Sequence, residues 1–187
     1  MSGRCAGRAP VVLLVVTVVL GAARGPAPLP AQARELADPG PDTAGAYGAA
    51  DFDWVLRSAD GAELRLEAYR GRVLFLNLWA TWCVPCVAEL GSIERLAASL
   101  ADTDVAFLLV SPESSDAVRS FARRLGIGLP VLTEATRAPR AWGVEAVPTT
   151  WIVDGAGRIV LKRRGAADWD APGARALLRW LDGRSGR

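Results

Sequence analysis

Two thiols three positions apart, Cys83 and Cys86, follow a run of apolar residues and constrain this chain more than any other feature. Val73-Leu74-Phe75-Leu76-Asn77-Leu78-Trp79 reads as a short buried strand from its nearly continuous apolar content, and Ala88 to Ala101 reads as a helix. The pair falls at a strand-to-helix junction, with Cys83 expected in the first helical turn. There the unpaired backbone N–H groups and the positive end of the helix dipole stabilise an anion. The Cys83 thiolate is thereby favoured over that of an ordinary cysteine. Pro85 fits an early helical position, where a backbone N–H is not needed. Cys86 lies one turn further in, more shielded from solvent. The arrangement is that of a redox couple.

Two plainer readings compete. Cys-x-x-Cys is often half of a zinc site, but zinc takes four ligands, and this chain has no histidine and only one further cysteine, Cys5. No metal is expected. A purely structural disulfide across two intervening residues closes so small a loop that its entropic benefit is slight.

Residues 1–33 read as a signal peptide or an N-terminal membrane anchor. Arg4 and Arg8 form a basic start, Pro10 to Ala23 is uncharged and apolar, and Arg24 closes the stretch. That run is shorter than the roughly 20 residues of a typical spanning helix. Ala31-Gln32-Ala33 matches a small-x-small cleavage site, while the Val-rich run keeps an uncleaved anchor open. Either way the body is delivered outside the cytoplasm, to the periplasm or the outer face of the membrane, where thiols tend to oxidise. Cys5 precedes the apolar run and takes no part in the chemistry.

The formal charge of +2 is a property of this leader. Without Arg4, Arg8 and Arg24, 19 of the 22 basic residues face 20 acidic ones, a net charge of −1. Nucleic-acid binding has no electrostatic support. Residues 34–50, rich in Pro, Ala, Gly and Asp, read as a flexible linker. Residues 51–187 are left as one ordinary domain.

Within that domain, Phe52 to Arg57 and Glu63 to Leu66 read as a hairpin around Asp60-Gly61. Asp104 to Val110 reads as a second buried strand and Ser114 to Leu125 as an amphipathic helix stopped by Gly126. Leu129 to Leu132 is extended, and Arg137 to Trp142 is a short helix. Thr149 to Val153 and Arg158 to Arg163 form a second hairpin, and Ala171 to Leu181 is a closing helix. Strands alternating with helices imply a central mixed β-sheet flanked by helices on both faces.

Five features together resemble the TlpA/ResA-like branch of the thioredoxin fold, the exported thiol-disulfide oxidoreductases. They are the opening hairpin with Asp60-Gly61, the strand from Gly71-Arg72 to Trp79, and Ala80-Thr81-Trp82-Cys83-Val84-Pro85-Cys86. The others are the inserted helix-strand segment Ser111 to Leu132 and Gly143-Val144-Glu145-Ala146-Val147-Pro148-Thr149-Thr150. The resemblance covers roughly residues 51 to 182. It implies a thioredoxin-like α/β fold with an N-terminal β-hairpin and a central inserted helix-strand segment. It implies that Pro148 is cis and faces the cysteine pair, so that the backbone of Val147 can pair with an extended substrate. Trp82, Pro85, Val147, Pro148 and Thr149 are then the substrate-binding residues.

By the same resemblance Glu89, one turn beyond Cys86, adjusts thiol acidity and relays a proton. Its local alternative is an exposed glutamate on a helix surface. Asn77 stands where cytoplasmic thioredoxins carry a buried aspartate, so that acid–base route is missing. Gly91 departs from the pattern, since many relatives have proline there.

The expected activity is reduction of protein disulfides, with Cys83 attacking, Cys86 resolving and Glu89 assisting. No cofactor is required beyond the Cys83–Cys86 couple, and no Gly-rich dinucleotide fingerprint follows a strand. Electrons must arrive through another protein. The resemblance implies a membrane thiol transporter of the CcdA or DsbD kind as donor and apocytochrome c, or another exported disulfide protein, as acceptor. Two rivals remain: a disulfide-forming oxidase, and a non-enzymatic metal or haem chaperone on the same fold. Val84-Pro85 between the cysteines lacks the histidine such oxidases usually carry, and the absence of histidine counts against metal delivery.

Overall fold

The structure, a computed structural model, describes residues 47–185. The leader with Cys5 and the linker up to residue 46 lie outside the described residues. Seven strands form one mixed sheet in the order β2-β1-β5-β4-β3-β6-β7. They are β1 (Val55–Ser58), β2 (Glu63–Arg65), β3 (Leu74–Leu78), β4 (Ala106–Ser111), β5 (Val131–Glu134), β6 (Thr149–Val153) and β7 (Ile159–Arg164). Among the described residues three α-helices complete it: α1 (Val84–Ala98), α2 (Ser115–Leu125) and α3 (Pro172–Asp182).

Inside the sheet, next to its middle strand, lies β3, paired parallel to β4 and antiparallel to β6. All five of its residues are buried, as a strand covered on both faces must be. Alternation splits them. Leu74, Leu76 and Leu78 join Trp54, Trp142 and Trp151 in one cluster, whereas Phe75 joins Leu90, Ile93, Trp169 and Leu177 in the other. Asn77 shares the face of Phe75, the only polar position in β3, and so points toward α1.

The mixed thioredoxin-like sheet is as the sequence implies, with one refinement in its cover. Buried residues of all three α-helices fall in a single cluster. The helical cover of the other face is 3-10, at Leu66–Tyr69 and Arg140–Trp142, joined by the N-terminal segment through Ala50, Phe52 and Trp54. The cause is topological. The steps β3-α1-β4 and β4-α2-β5 move the same way across the sheet, so two right-handed crossovers put both helices on one side.

Local signals explain the boundaries. Ser114 caps α2 by accepting from the Ala117 N–H, and Gly126, at φ 69°, ends it in the left-handed region. The Asp60-Gly61 turn is closed by the Ser58 N–H on the Ala62 carbonyl at 2.9 Å. Tyr47 to Ala50 lie against the domain: Ala49 bridges Arg158, and the Ala50 N–H donates to the Gly157 carbonyl at 2.8 Å. The α1 helix passes through Gly91 unbroken.

Candidate active site

Five residues separate the end of β3 from the start of α1, and the chain turns within them. The Cys83 N–H donates to the Ala80 carbonyl at 3.1 Å, closing a turn with Thr81 and Trp82 at its centre. The helix begins at Val84, so Cys83 stands one position outside it as the N-cap, a correction to its expected place in the first turn. Its extended backbone aims Sγ back at the helix, where it accepts the Cys86 N–H at 3.2 Å. Pro85 takes an early helical position with no N–H to satisfy.

Cys83 and Cys86 are joined by a disulfide of 2.10 Å, with Cα atoms 5.2 Å apart. Cys83 is 6% exposed and Cys86 fully buried. The rim is apolar: Trp82 is 68% exposed and Val84 79%.

Glu89 is not a surface residue. It lies 3% exposed on the buried side of α1, with both carboxylate oxygens engaged. Oε1 accepts from Asn77 Nδ2 at 2.8 Å. Oε2 accepts from the Ala167 N–H and from Trp169 Nε1, each at 3.0 Å. Burial pushes its pKa above the ordinary value of 4.5, opposed by the hydrogen bonds from Ala167, Asn77 and Trp169. Asn77 also donates to Thr150 Oγ1 at 2.9 Å, its register partner on β6. The carboxyl group thus ties the active-site helix to β3, through Asn77 to β6, and to the segment before α3.

The Val147–Pro148 peptide bond is cis. Leu78 pairs with Thr149, so this loop and the cysteine turn leave the sheet at the same end. Val147 is half-buried against the cluster that contains both cysteines. Pro148 is buried, and its carbonyl accepts the Gly165 N–H at 2.9 Å. The Thr149 side chain is spent within the protein, donating to the Ala146 carbonyl at 2.7 Å, so it shapes the loop without facing solvent.

Sequence reasoning missed the partners of Glu89. Ala167 and Trp169 carry no local signal, since they lie 78 and 80 positions away on a different segment. It also missed Glu113, whose carboxylate accepts from the Thr81 N–H and hydroxyl.

A mixed sheet in which a buried interior strand delivers a Cys-x-x-Cys disulfide to a helix N-cap, with a cis-proline loop leaving the same sheet end, defines a thioredoxin-like thiol-disulfide oxidoreductase. The model of the AhpC/TSA family matches residues 46–162. The thiol-disulfide oxidoreductase ResA of Geobacillus thermodenitrificans is 36% identical over 119 residues, which span 63% of this chain and 68% of that protein. Among solved structures, a thioredoxin-family thiol:disulfide interchange protein from Chlorobium tepidum superposes with a TM-score of 0.59 at 19% identity, covering 72% of this chain and 97% of that one. The exposed lipoprotein thioredoxin of Streptococcus pneumoniae superposes with a TM-score of 0.55 at 27% identity, covering 70% and 98%. The chain belongs to the AhpC/TSA family and, within it, to the ResA-type thiol-disulfide oxidoreductases.

Proposed function

We propose that this oxidoreductase works as an exported reductant of disulfides in extracytoplasmic proteins, apocytochrome c among them. The observation that carries the reading is the difference between the sulfurs. Cys83, at the helix N-cap, keeps 6% exposure beside the exposed Trp82 and Val84, while Cys86 is fully buried. In the reduced state the Cys83 thiolate, favoured by the Cys86 N–H, attacks one sulfur of a partner disulfide, and the other partner sulfur leaves as a thiolate and takes a proton. The Cys86 thiolate then attacks Cys83 Sγ, releasing the second partner thiol and forming the Cys83–Cys86 bond. Two electrons pass to the partner. Glu89, one turn beyond Cys86 and kept more basic by burial, is suited to accept the Cys86 proton.

Trp82, Val84 and Pro85 give an uncharged rim for a partner segment, and Val147, before the cis-proline, offers backbone beside it. The exchange needs thiols alone, so no bound cofactor is invoked. Electrons return through a membrane thiol transporter of the CcdA or DsbD kind. Export accords with the reading of the N-terminal 33 residues as signal or anchor; among the described residues no helix is long and apolar enough to cross a membrane.

The test is a redox equilibrium against glutathione and dithiothreitol, combined with partner trapping. A strongly reducing midpoint, with Cys86→Ser accumulating mixed disulfides through Cys83, is the expected result. An oxidising midpoint reverses the direction to disulfide formation, and an absence of trapped partners removes Cys86 as the resolving thiol.

A further inference from the structure

The turn that carries Cys83 is held from outside its own chain segment. Trp82, at its centre, projects into solvent, so little packing fixes the turn from above. The parallel pairing of Leu78 with Val110 brings the end of β4 beside the end of β3, and the Trp79 N–H continues the ladder onto the Val110 carbonyl at 2.9 Å. Three residues past Val110, Glu113 turns its carboxylate onto Thr81. Oε2 accepts the Thr81 N–H and Oε1 the Thr81 hydroxyl, both at 2.7 Å. Ser111 braces the acid from behind. Its hydroxyl donates to Glu113 Oε2 and accepts the Glu113 N–H, each at 3.2 Å. Two hydrogen bonds to one carboxyl group, both donated by one residue, make a short, directional clasp.

We propose that Glu113 is a positioning residue for the redox couple: by clasping Thr81 it fixes the Ala80–Cys83 turn and keeps the Cys83 sulfur within reach of Cys86 once the disulfide is open. In the oxidised protein the S–S bond and the clasp restrain Cys83 together. On reduction the covalent restraint disappears and the clasp remains. Holding one thiol against the other raises its effective concentration and favours ring closure. Closing the ring passes two electrons and two protons from Cys83 and Cys86 to an acceptor such as glutathione disulfide, which becomes two glutathione thiols. The clasp therefore makes the couple more reducing. Freeing the backbone of one turn residue is worth on the order of tenfold in such an equilibrium.

The experiment is the glutathione redox equilibrium of the full chain and its variants at about pH 6, below the ordinary thiol pKa of about 8.5, so that thiolate stabilisation contributes little. Glu113→Ala is expected to make the disulfide about tenfold easier to reduce, which is about 30 mV for a two-electron couple. Thr81→Val removes one prong and should shift the equilibrium in the same direction by a smaller factor, while Thr81→Ser, with both donors kept, should restore the parent midpoint. Because the two side chains act through one contact, the Glu113→Ala and Thr81→Val shifts should not add in the double variant. An unchanged midpoint in folded Glu113→Ala, or fully additive shifts, overturns the proposal. Should Glu113→Ala fail to fold, the Thr81→Val and Thr81→Ser pair decides it: equal midpoints in all three Thr81 forms overturn it.

Discussion

Replacing Glu89 by alanine removes three hydrogen bonds at once, and the structure sets what each loss costs. Asn77 Nδ2 keeps Thr150 Oγ1 as a partner, and the Ala167 N–H, half-buried, can reach water. The indole N–H of Trp169 can do neither. Trp169 is fully buried and packs edge-on against Phe75 with ring centroids 5.0 Å apart. An orphaned buried donor costs about 1–3 kcal/mol, and the space left by the missing carboxyl group adds a cavity cost of about 1 kcal/mol or more. Relief of a buried charge offsets part of this, leaving a net loss of about 2–4 kcal/mol out of the roughly 5–15 kcal/mol of a typical domain.

Glu89→Gln behaves differently. Its amide oxygen can accept from Ala167 and Trp169, and its NH2 then faces Asn77, whose Oδ1 is buried without a hydrogen-bond partner. Rotation of the Asn77 amide presents that oxygen to the new donor but turns Nδ2 to the side where Oδ1 had no partner, so the change costs about 1–2 kcal/mol, less than alanine. Urea unfolding of the oxidised protein measures both. Burial raises the Glu89 pKa above 4.5, so its stabilising contribution is complete below that pH and is lost as pH rises through the folded-state value. The glutamine variant escapes this loss, and its stability relative to the parent should improve from about pH 4.5 upward. Equal losses for alanine and glutamine, or no loss for alanine, would rule out this role for the Glu89 hydrogen bonds.

Other outcomes follow from the same geometry. Glu89→Gln should move the pH titration of thiol alkylation downward, because an anion near the thiols opposes thiolate formation; an unchanged titration removes Glu89 from the proton chemistry. Trp82→Ala should raise KM for a protein disulfide several-fold while changing stability by less than about 0.5 kcal/mol, since the ring is largely exposed; steady-state reduction kinetics with a unchanged KM would take Trp82 out of the docking rim. Asp154 accepts from the Ala156 N–H, the Arg158 N–H and Arg158 Nε at 3.0, 2.9 and 2.8 Å, shaping the β6–β7 turn from a buried position. Asp154→Ala should cost about 1–3 kcal/mol in urea unfolding with the redox midpoint unmoved.

What could be read from the residues in order was whatever acts over one or two turns of chain. The apolar run at β3, the Cys-x-x-Cys at a helix start, the Ser114 and Gly126 stops of α2 and the Asp60-Gly61 hairpin are each set by neighbours a few positions apart. The redox pair and its helix were therefore legible, short of the single position that makes Cys83 a cap. Tertiary structure decided the rest. It slotted β5 between β1 and β4, put all three α-helices on one face, and turned Glu89 inward onto Asn77, Ala167 and Trp169. It also brought Glu113 to Thr81 across 32 positions. Periodicity tells which face of an element is apolar, but a hydrogen bond between distant segments depends on how sheet order and crossover hand bring those faces together, and that is settled only when the whole chain packs.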